Sequence, residues 1–280
     1  DVWQSDPITF GFQQVGYVAA GGAGQIPDYE VMVESQNACG YRSEMFTGRD
    51  ARAFLQGLWP DFKTAGVEVV LHERPSGYAG TAQAIRGMVQ KCEQEGVAIR
   101  SGVAVTGYDV TGGRVAAVHT DQGTIRADCV VLCAGAWSAR LLPELPIAPV
   151  KGQMLSLQAP RGALKRVIFG PGTYLVPRED GLVVVGATSE PEAGFSEGLT
   201  PQGQRTLQAG IASLLPQATH WPPMERWWGF RPCTPDEGPL LGASSIEGLW
   251  LACGHHRNGV LMAGLTAELV AGVITGQPLD

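Results

Sequence analysis

Long apolar runs are absent from this chain. No eighteen consecutive apolar residues occur in its 280, so no helix of membrane-spanning length is expected. Runs of lysine and arginine are absent too, and the net charge is -7. A nucleic-acid surface needs a basic patch, so that class of partner is excluded. None of the six cysteines forms a Cys-x-x-Cys pair, and no carboxylate or thiolate spacing supports a metal site. No nucleophile–histidine–carboxylate set or paired-carboxylate signature stands out. The Gly-x-Gly near the start, Gly22-Ala23-Gly24, runs into Gln25-Ile26-Pro27. That continuation is wrong for a phosphate-binding turn that opens a helix.

What is present is ordinary for a mixed α/β protein. The chain is 44% hydrophobic and 17% charged, and its length allows two substantial cores. Its 38 glycines exceed the usual share of about 7%. Many sit in strand–turn sequences, where positive φ is needed. Cys129, Cys133 and Cys253 fall in apolar strand contexts, which predicts buried, reduced thiols. A reducing, cytoplasmic location follows from them.

Periodicity gives the elements. Residues 12–20 read as a strand and 21–24 as a turn. Helices are expected over 28–37 and from Thr47 to just before Trp59. Residues 67–72 alternate and are β-branched, as a strand is. Residues 81–95 are amphipathic, with Ala84, Ile85, Met88, Val89 and Cys92 on one face, and Gly96 stops the helix. Short strands follow at 97–99, 103–110, 114–119 and 124–126. Residues 129–133 are continuously apolar, the pattern of a strand buried on both faces. From Pro149 the strands 153–157, 167–169, 174–177 and 183–186 form an antiparallel meander. A helix at 201–215 and a strand at 227–231 follow. A strand at 249–253 and a helix at 260–275 close the chain. The two textures alternate, which predicts interleaved domains: residues 1–80 with 149–234, and 81–148 with 235–280.

The last quarter holds the most specific pattern. It reads Trp227-Trp228-Gly229-Phe230-Arg231-Pro232-Cys233-Thr234-Pro235-Asp236, then Gly238-Pro239-Leu240-Leu241-Gly242. Leu249-Trp250-Leu251-Ala252-Cys253-Gly254-His255-His256-Arg257-Asn258-Gly259 follows. An Arg-Pro before a Thr-Pro-Asp turn, then a strand ending in Gly-His-x-Arg-Asn-Gly, resembles the FAD-dependent D-amino acid oxidase superfamily. The glycine oxidase and sarcosine oxidase members are the nearest. Ala127-Asp128-Cys129-Val130-Val131-Leu132-Cys133-Ala134-Gly135-Ala136-Trp137-Ser138 and Pro149-Val150-Lys151-Gly152-Gln153-Met154-Leu155 fall in family order. The resemblance covers nearly the whole chain.

That resemblance implies an α/β fold of mixed α+β character. A Rossmann-like FAD-binding domain (81–148 and 235–280) would interleave with an antiparallel-sheet substrate domain (1–80 and 149–234). The family opens with a strand, a glycine turn and a helix that hold the FAD pyrophosphate. This chain shows no such opening, so the expectation is an N-terminally truncated cofactor domain, or a companion chain that supplies the missing half. The implied activity is oxidation of a small amino or N-methylamino acid of the glycine, sarcosine or D-amino acid type. Hydride passes to flavin N5, and O2 takes the electrons. A D-amino acid dehydrogenase feeding a quinone or carrier is one alternative. A non-catalytic fragment or substrate-domain subunit is another, and a homo-oligomer is a further possibility of assembly.

The resemblance also assigns residues. Arg231 would hold the substrate carboxylate, which its planar fork matches bidentately; the plain alternative is a surface arginine paired with Asp236 or Glu237. Tyr174 opens Tyr174-Leu175-Val176-Pro177-Arg178, and its hydroxyl would face the substrate; the plain alternative is a strand tyrosine packing its ring. His256 would face the flavin cavity, with His255 structural. Gly254, Arg257, Asn258 and Gly259 would flank the isoalloxazine, where helix N–H groups stabilise negative charge. Ala134, Gly135 and Trp137 would close over the FAD, and the backbone of Val105 would meet the adenine. Ser138 is expected to cap the next helix. Cys233 stands three residues before Asp236, which does not match the spacing of covalent attachment, so the FAD is expected to be non-covalent.

Overall fold

A glycine in the left-handed region splits the first predicted strand. Gly16 has φ 81°, which interrupts extended backbone. The result is β1 (Phe12–Gln13) and β2 (Tyr17–Gly21). The structure, a computed structural model, describes residues 11–170 and 172–277. After β2 come α1 (Ile26–Ala38), β3 (Ser43–Thr47), α2 (Gly48–Leu58), β4 (Val69–Glu73), β5 (Tyr78–Ala79) and α3 (Thr81–Gln94). Then follow β6 (Val105–Thr111), β7 (Arg114–Thr120), β8 (Gly123–Arg126), β9 (Val130–Leu132), α4 (Ser138–Leu141) and β10 (Ala148–Gln158). The remainder is β11 (Val167–Gly170), β12 (Thr173–Pro177), β13 (Leu182–Gly186), α5 (Pro201–Leu214), β14 (Pro223–Cys233), β15 (Leu240–Ala243), β16 (Leu249–Cys253) and α6 (Gly259–Thr275).

Two compact units result. The first is Asp1–Met88, Gly152–Ser189 and Glu197–Trp228; the second is Val89–Lys151, Glu190–Ser196 and Gly229–Asp280.

An eight-stranded sheet of order β14-β10-β13-β12-β11-β2-β4-β3 organises the first unit. Strands β11 to β13 form an antiparallel meander; the expected first strand of it, β10, instead pairs with β13, and β11 joins β2 in parallel. Helix α5 packs on β12 and β13 through Leu207, Ile211 and Leu214, which are buried at helical spacing. Thr200 caps it by accepting from Gly203 N at 3.0 Å. The buried Gln153 amide fixes that cap, donating to Thr200 Oγ1 at 2.7 Å and accepting from Thr200 N at 2.9 Å. Gly210 lets the helix approach, because a Cβ there would collide with Thr173. Leu55, Leu155, Ile168, Leu175 and Ile211 meet in one core, each side chain contributing about 1.5–3 kcal/mol by burial.

His72 on β4 introduces a pH dependence. It is buried, its Nδ1 lies 3.1 Å from Glu44 Oε2, and its Nε2 has no hydrogen-bond partner. Burial is the largest influence on its pKa and lowers it; Glu44 pulls the other way, while Arg166 and Arg74 add to the lowering. Burial tends to raise Glu44, but its bonds to His72 and Arg74 outweigh that and hold it below its usual range. Both groups therefore favour the folded state at higher pH. Stability is expected to be complete above about pH 6.5, the ordinary histidine value. It falls as the pH drops from there toward the lowered folded value of His72. Denaturant melts of wild type and His72→Gln between pH 5 and 7.5 check this, and an unchanged slope in the variant would refute it.

The second unit holds two three-stranded sheets, β15-β16-β9 and β6-β7-β8. Strand β16 runs parallel to β9, and β15 pairs with it antiparallel. Val115, Leu132, Leu142, Leu145, Ile147, Leu249 and Cys253 form its core.

Four expectations need correction. Residues 97–99 form no strand, and Val97 and Ile99 are exposed; their apolar pattern has no pairing strand among the described residues. The strand at 129–133 is not buried on both faces. Strand β9 pairs only with β16 among the described residues, and Val131 is 40% exposed. Cys129 and Cys133 are exposed for the same reason, and only Cys253 is buried. On α3 the small residues Ala84 and Gly87 are buried, whereas Ile85 is 55% exposed. Periodicity located the helix but not which part of its apolar stripe finds a neighbour.

Candidate functional site

Parallel strands β9 and β16 end side by side. Leu132 pairs with Leu251, so the segments that leave the two strands, 133–137 and 254–259, emerge at the same carboxyl end. Open α/β sheets bind ligands at that position.

The first segment turns tightly. Gly135 has φ 53° and starts a 3-10 turn, Gly135–Trp137, whose Ala136 is buried. Ser138 does not cap the following helix as expected. It is the first residue of α4, no side chain caps that helix, and Ser138 itself is fully buried. The Trp137 ring lies 5.5 Å from Phe195 and 5.8 Å from Phe230, the latter edge-on. The Arg140 guanidinium sits 4.2 Å from the centre of the Phe195 ring. A cavity of about 560 Å³ opens here, lined by Val105, Val131, Cys133, Ala134, Trp137 and Arg140 among others. That volume lies within the range of small-molecule and cofactor sites.

The second segment is held against β14. Gly254 has φ 79°, and a Cβ there would lie 2.9 Å from Thr234 Cγ2. His256 is itself left-handed, at φ 49°, and its N–H donates to Pro232 O at 2.8 Å. The loop is therefore pinned one residue beyond Arg231, which is half-buried. Glu237 Oε2 lies 3.4 Å from His256 Nδ1 and 3.7 Å from an Arg257 terminal nitrogen. The first is an electrostatic contact only, since Nδ1 forms no hydrogen bond. His255 Nε2 is 2.8 Å from Thr266 Oγ1, and burial lowers its pKa, which favours a neutral ring. The Asn258 carbonyl accepts from Met262 N at 2.9 Å, and α6 starts at Gly259. Its first N–H groups have no intrahelical partner and favour negative charge.

The turn before β15 supports the loop. Thr234 Oγ1 donates to Gly238 O at 2.7 Å, and Asp236 Oδ1 accepts from Gly238 N at 3.1 Å. That backbone bond, aided by Thr234, holds the Asp236 carboxyl below its usual range.

Tyr174 belongs to the first unit. Its ring stacks on Phe169 at 4.8 Å, Phe169 meets Tyr17 at 5.4 Å, and its hydroxyl is 3.9 Å from Met154 Sδ. A Cβ at Gly186 would collide with the ring, so packing fixes its orientation.

Within the second unit two sets of expected residues assemble. Val105, Ala134 and Trp137 line the cavity, with Gly135 in the turn between them. The glycine loop of Gly254, His256, Arg257, Asn258 and Gly259 is tied to Pro232, the neighbour of Arg231, through the His256 N–H. Sequence reasoning missed Arg140, Phe195 and Phe230. Their contacts join three separate segments, and no local spacing signals that. Among the described residues there is no metal-ligating cluster, and no helix is long and apolar enough to cross a membrane.

Comparison with known proteins gives the family and the fold. Residues 1–273 match the DAO family of FAD dependent oxidoreductases. The chain is 40% identical over 263 residues to the bifunctional protein ThiO/ThiG of Synechocystis sp., covering 89% of this chain and 40% of that protein. It is 35% identical over 237 residues to a glycine oxidase of Pseudomonas aeruginosa, covering 81% of this chain and 63% of that one. The chain thus spans less than two thirds of the length of these curated relatives. A glycine oxidase structure from Geobacillus kaustophilus superposes with a TM-score of 0.87 at 25% identity, covering 98% of this chain and 74% of that one.

Proposed function

The chain belongs to the DAO family of FAD-dependent oxidoreductases, and from that premise we propose that it oxidises a small amino acid of the glycine type. The observation that carries this reading is the pair of glycine turns at the shared carboxyl end of β9 and β16. The residues there fit FAD: the cavity is largely apolar, and Gly135 and Gly254 allow close backbone approach. Bound FAD supplies the electron sink that accepts a hydride from the substrate Cα.

The chain's own residues then bind and orient. Arg231 pairs with the substrate carboxylate. His256 would face the flavin from its pinned loop. Gly254, Arg257, Asn258 and Gly259 would flank the isoalloxazine, where the N–H groups that open α6 would favour negative charge. Val105, Ala134, Gly135 and Trp137 would hold the rest of the dinucleotide, without a covalent link. O2 is the electron acceptor. Six free thiols support a reducing, cytoplasmic setting.

The test is turnover of glycine, sarcosine and D-alanine by the FAD-loaded protein in air. One H2O2 is expected per substrate consumed. Turnover only with an added quinone would replace the oxidase reading with a dehydrogenase, and no turnover of any of the three would remove it.

A further inference from the structure

The lining of the cavity beside Trp137 includes one charged side chain, Arg140, to which the proposed function gives no role. We propose that Arg140 is a phosphate-pairing residue of that cavity and holds the diphosphate of the adenosine half of FAD. The inference rests on the reading of this cavity as part of the FAD site.

Three observations carry it. Val105, Val118, Val130, Val131 and Leu132 give the cavity apolar walls, which suit a flat heteroaromatic ring but not a phosphate. Arg140 is the only charged side chain in the lining. Its positive charge is not already neutralised, because none of the ion pairs among the described residues involves it.

Position is also set. The guanidinium rests over the Phe195 ring, and Phe195 is held in turn by Trp137 and Phe230. An arginine placed by an aromatic face can still direct N–H donors at an anion. A chain of net charge -7 offers no long-range attraction for a diphosphate, so a local cation matters more. The bland alternative is a surface arginine lying on a phenylalanine, and the two make different predictions.

Titrate ADP and adenosine by calorimetry into wild type, Arg140→Ala and Arg140→Lys. Wild type should bind ADP at least about tenfold more tightly than adenosine, the worth of one charge-assisted pair. Added salt should erode that preference. Arg140→Ala should lose it while adenosine affinity stays unchanged, which also shows that the cavity is intact. Arg140→Lys should keep part of it. Equal binding of the two probes by wild type, or a preference that survives in Arg140→Ala, overturns the role of Arg140 and leaves the FAD site standing. If neither probe binds wild type, and FAD does not either, the cofactor reading of the cavity fails together with the proposal.

Discussion

Replacing Arg231 with alanine is expected to lower kcat/KM for the amino acid substrate by about 2–4 kcal/mol, roughly 30- to 1,000-fold. The side chain is half-buried near the end of β14. The next residue, Pro232, accepts a hydrogen bond from the glycine loop, so the Arg231 backbone is held next to the segment proposed to flank the flavin. Removing it leaves a substrate carboxylate without its partner, and the unpaired charge costs more than the contact itself contributes. Arg231→Lys keeps the charge but loses the bidentate fork, and its activity should fall between the two. Steady-state kinetics on glycine and sarcosine decide the matter. Wild-type kcat/KM in Arg231→Ala would remove the assignment.

The second large effect is expected at Gly254. Its φ of 79° is a conformation that costs an L-residue about 1–2 kcal/mol. A Cβ would also press on Thr234 Cγ2 at 2.9 Å, in a residue whose hydroxyl ties the adjoining turn together. Gly254→Val combines both penalties, so a loss of about 2–4 kcal/mol is expected. At about 2–4 °C per kcal/mol for a chain of this size, Tm should drop by roughly 5–15 °C. FAD affinity should weaken too, because residues 254–259 would shift. Gly264→Ala is the control: beyond its own helix backbone and chain neighbours no atom lies within 4 Å of a Cβ there, it sits inside α6, and alanine is the better helix former. A Gly254→Val protein that melts with wild type would show that the loop tolerates side chains and has no need of glycine.

Much of this site is legible in the sequence because its parts are local. Gly254 to Gly259 is one strand–turn–helix passage, and Ala134 to Ser138 is another. The glycine spacing and the apolar strands before them mark both. The strands β10 to β13 are similarly visible through alternation and glycine turns, although the pairing of β10 with β13 is not. What stays hidden depends on neighbours far away in the chain. Strand β15 shows too little alternation to be read, and it exists because Leu240 to Ala243 pair with β16. The exposure of Val131 and Cys133 follows from β9 having one partner strand among the described residues, a number that no apolar run encodes. The contact of Arg140 with Phe195 is hidden in the same way, because Phe195 comes from a distant segment without regular pattern.

The most direct measurement is anaerobic addition of glycine to the FAD-loaded protein, followed by the visible absorbance of the flavin. The account predicts that the oxidised flavin band is lost with saturable dependence on glycine. It should be lost at a rate lower by roughly the Arg231→Ala factor, 30- to 1,000-fold, in that variant at subsaturating glycine. A band that stays unchanged with glycine, sarcosine and D-alanine alike would contradict the assignment of amino acid oxidation to this site.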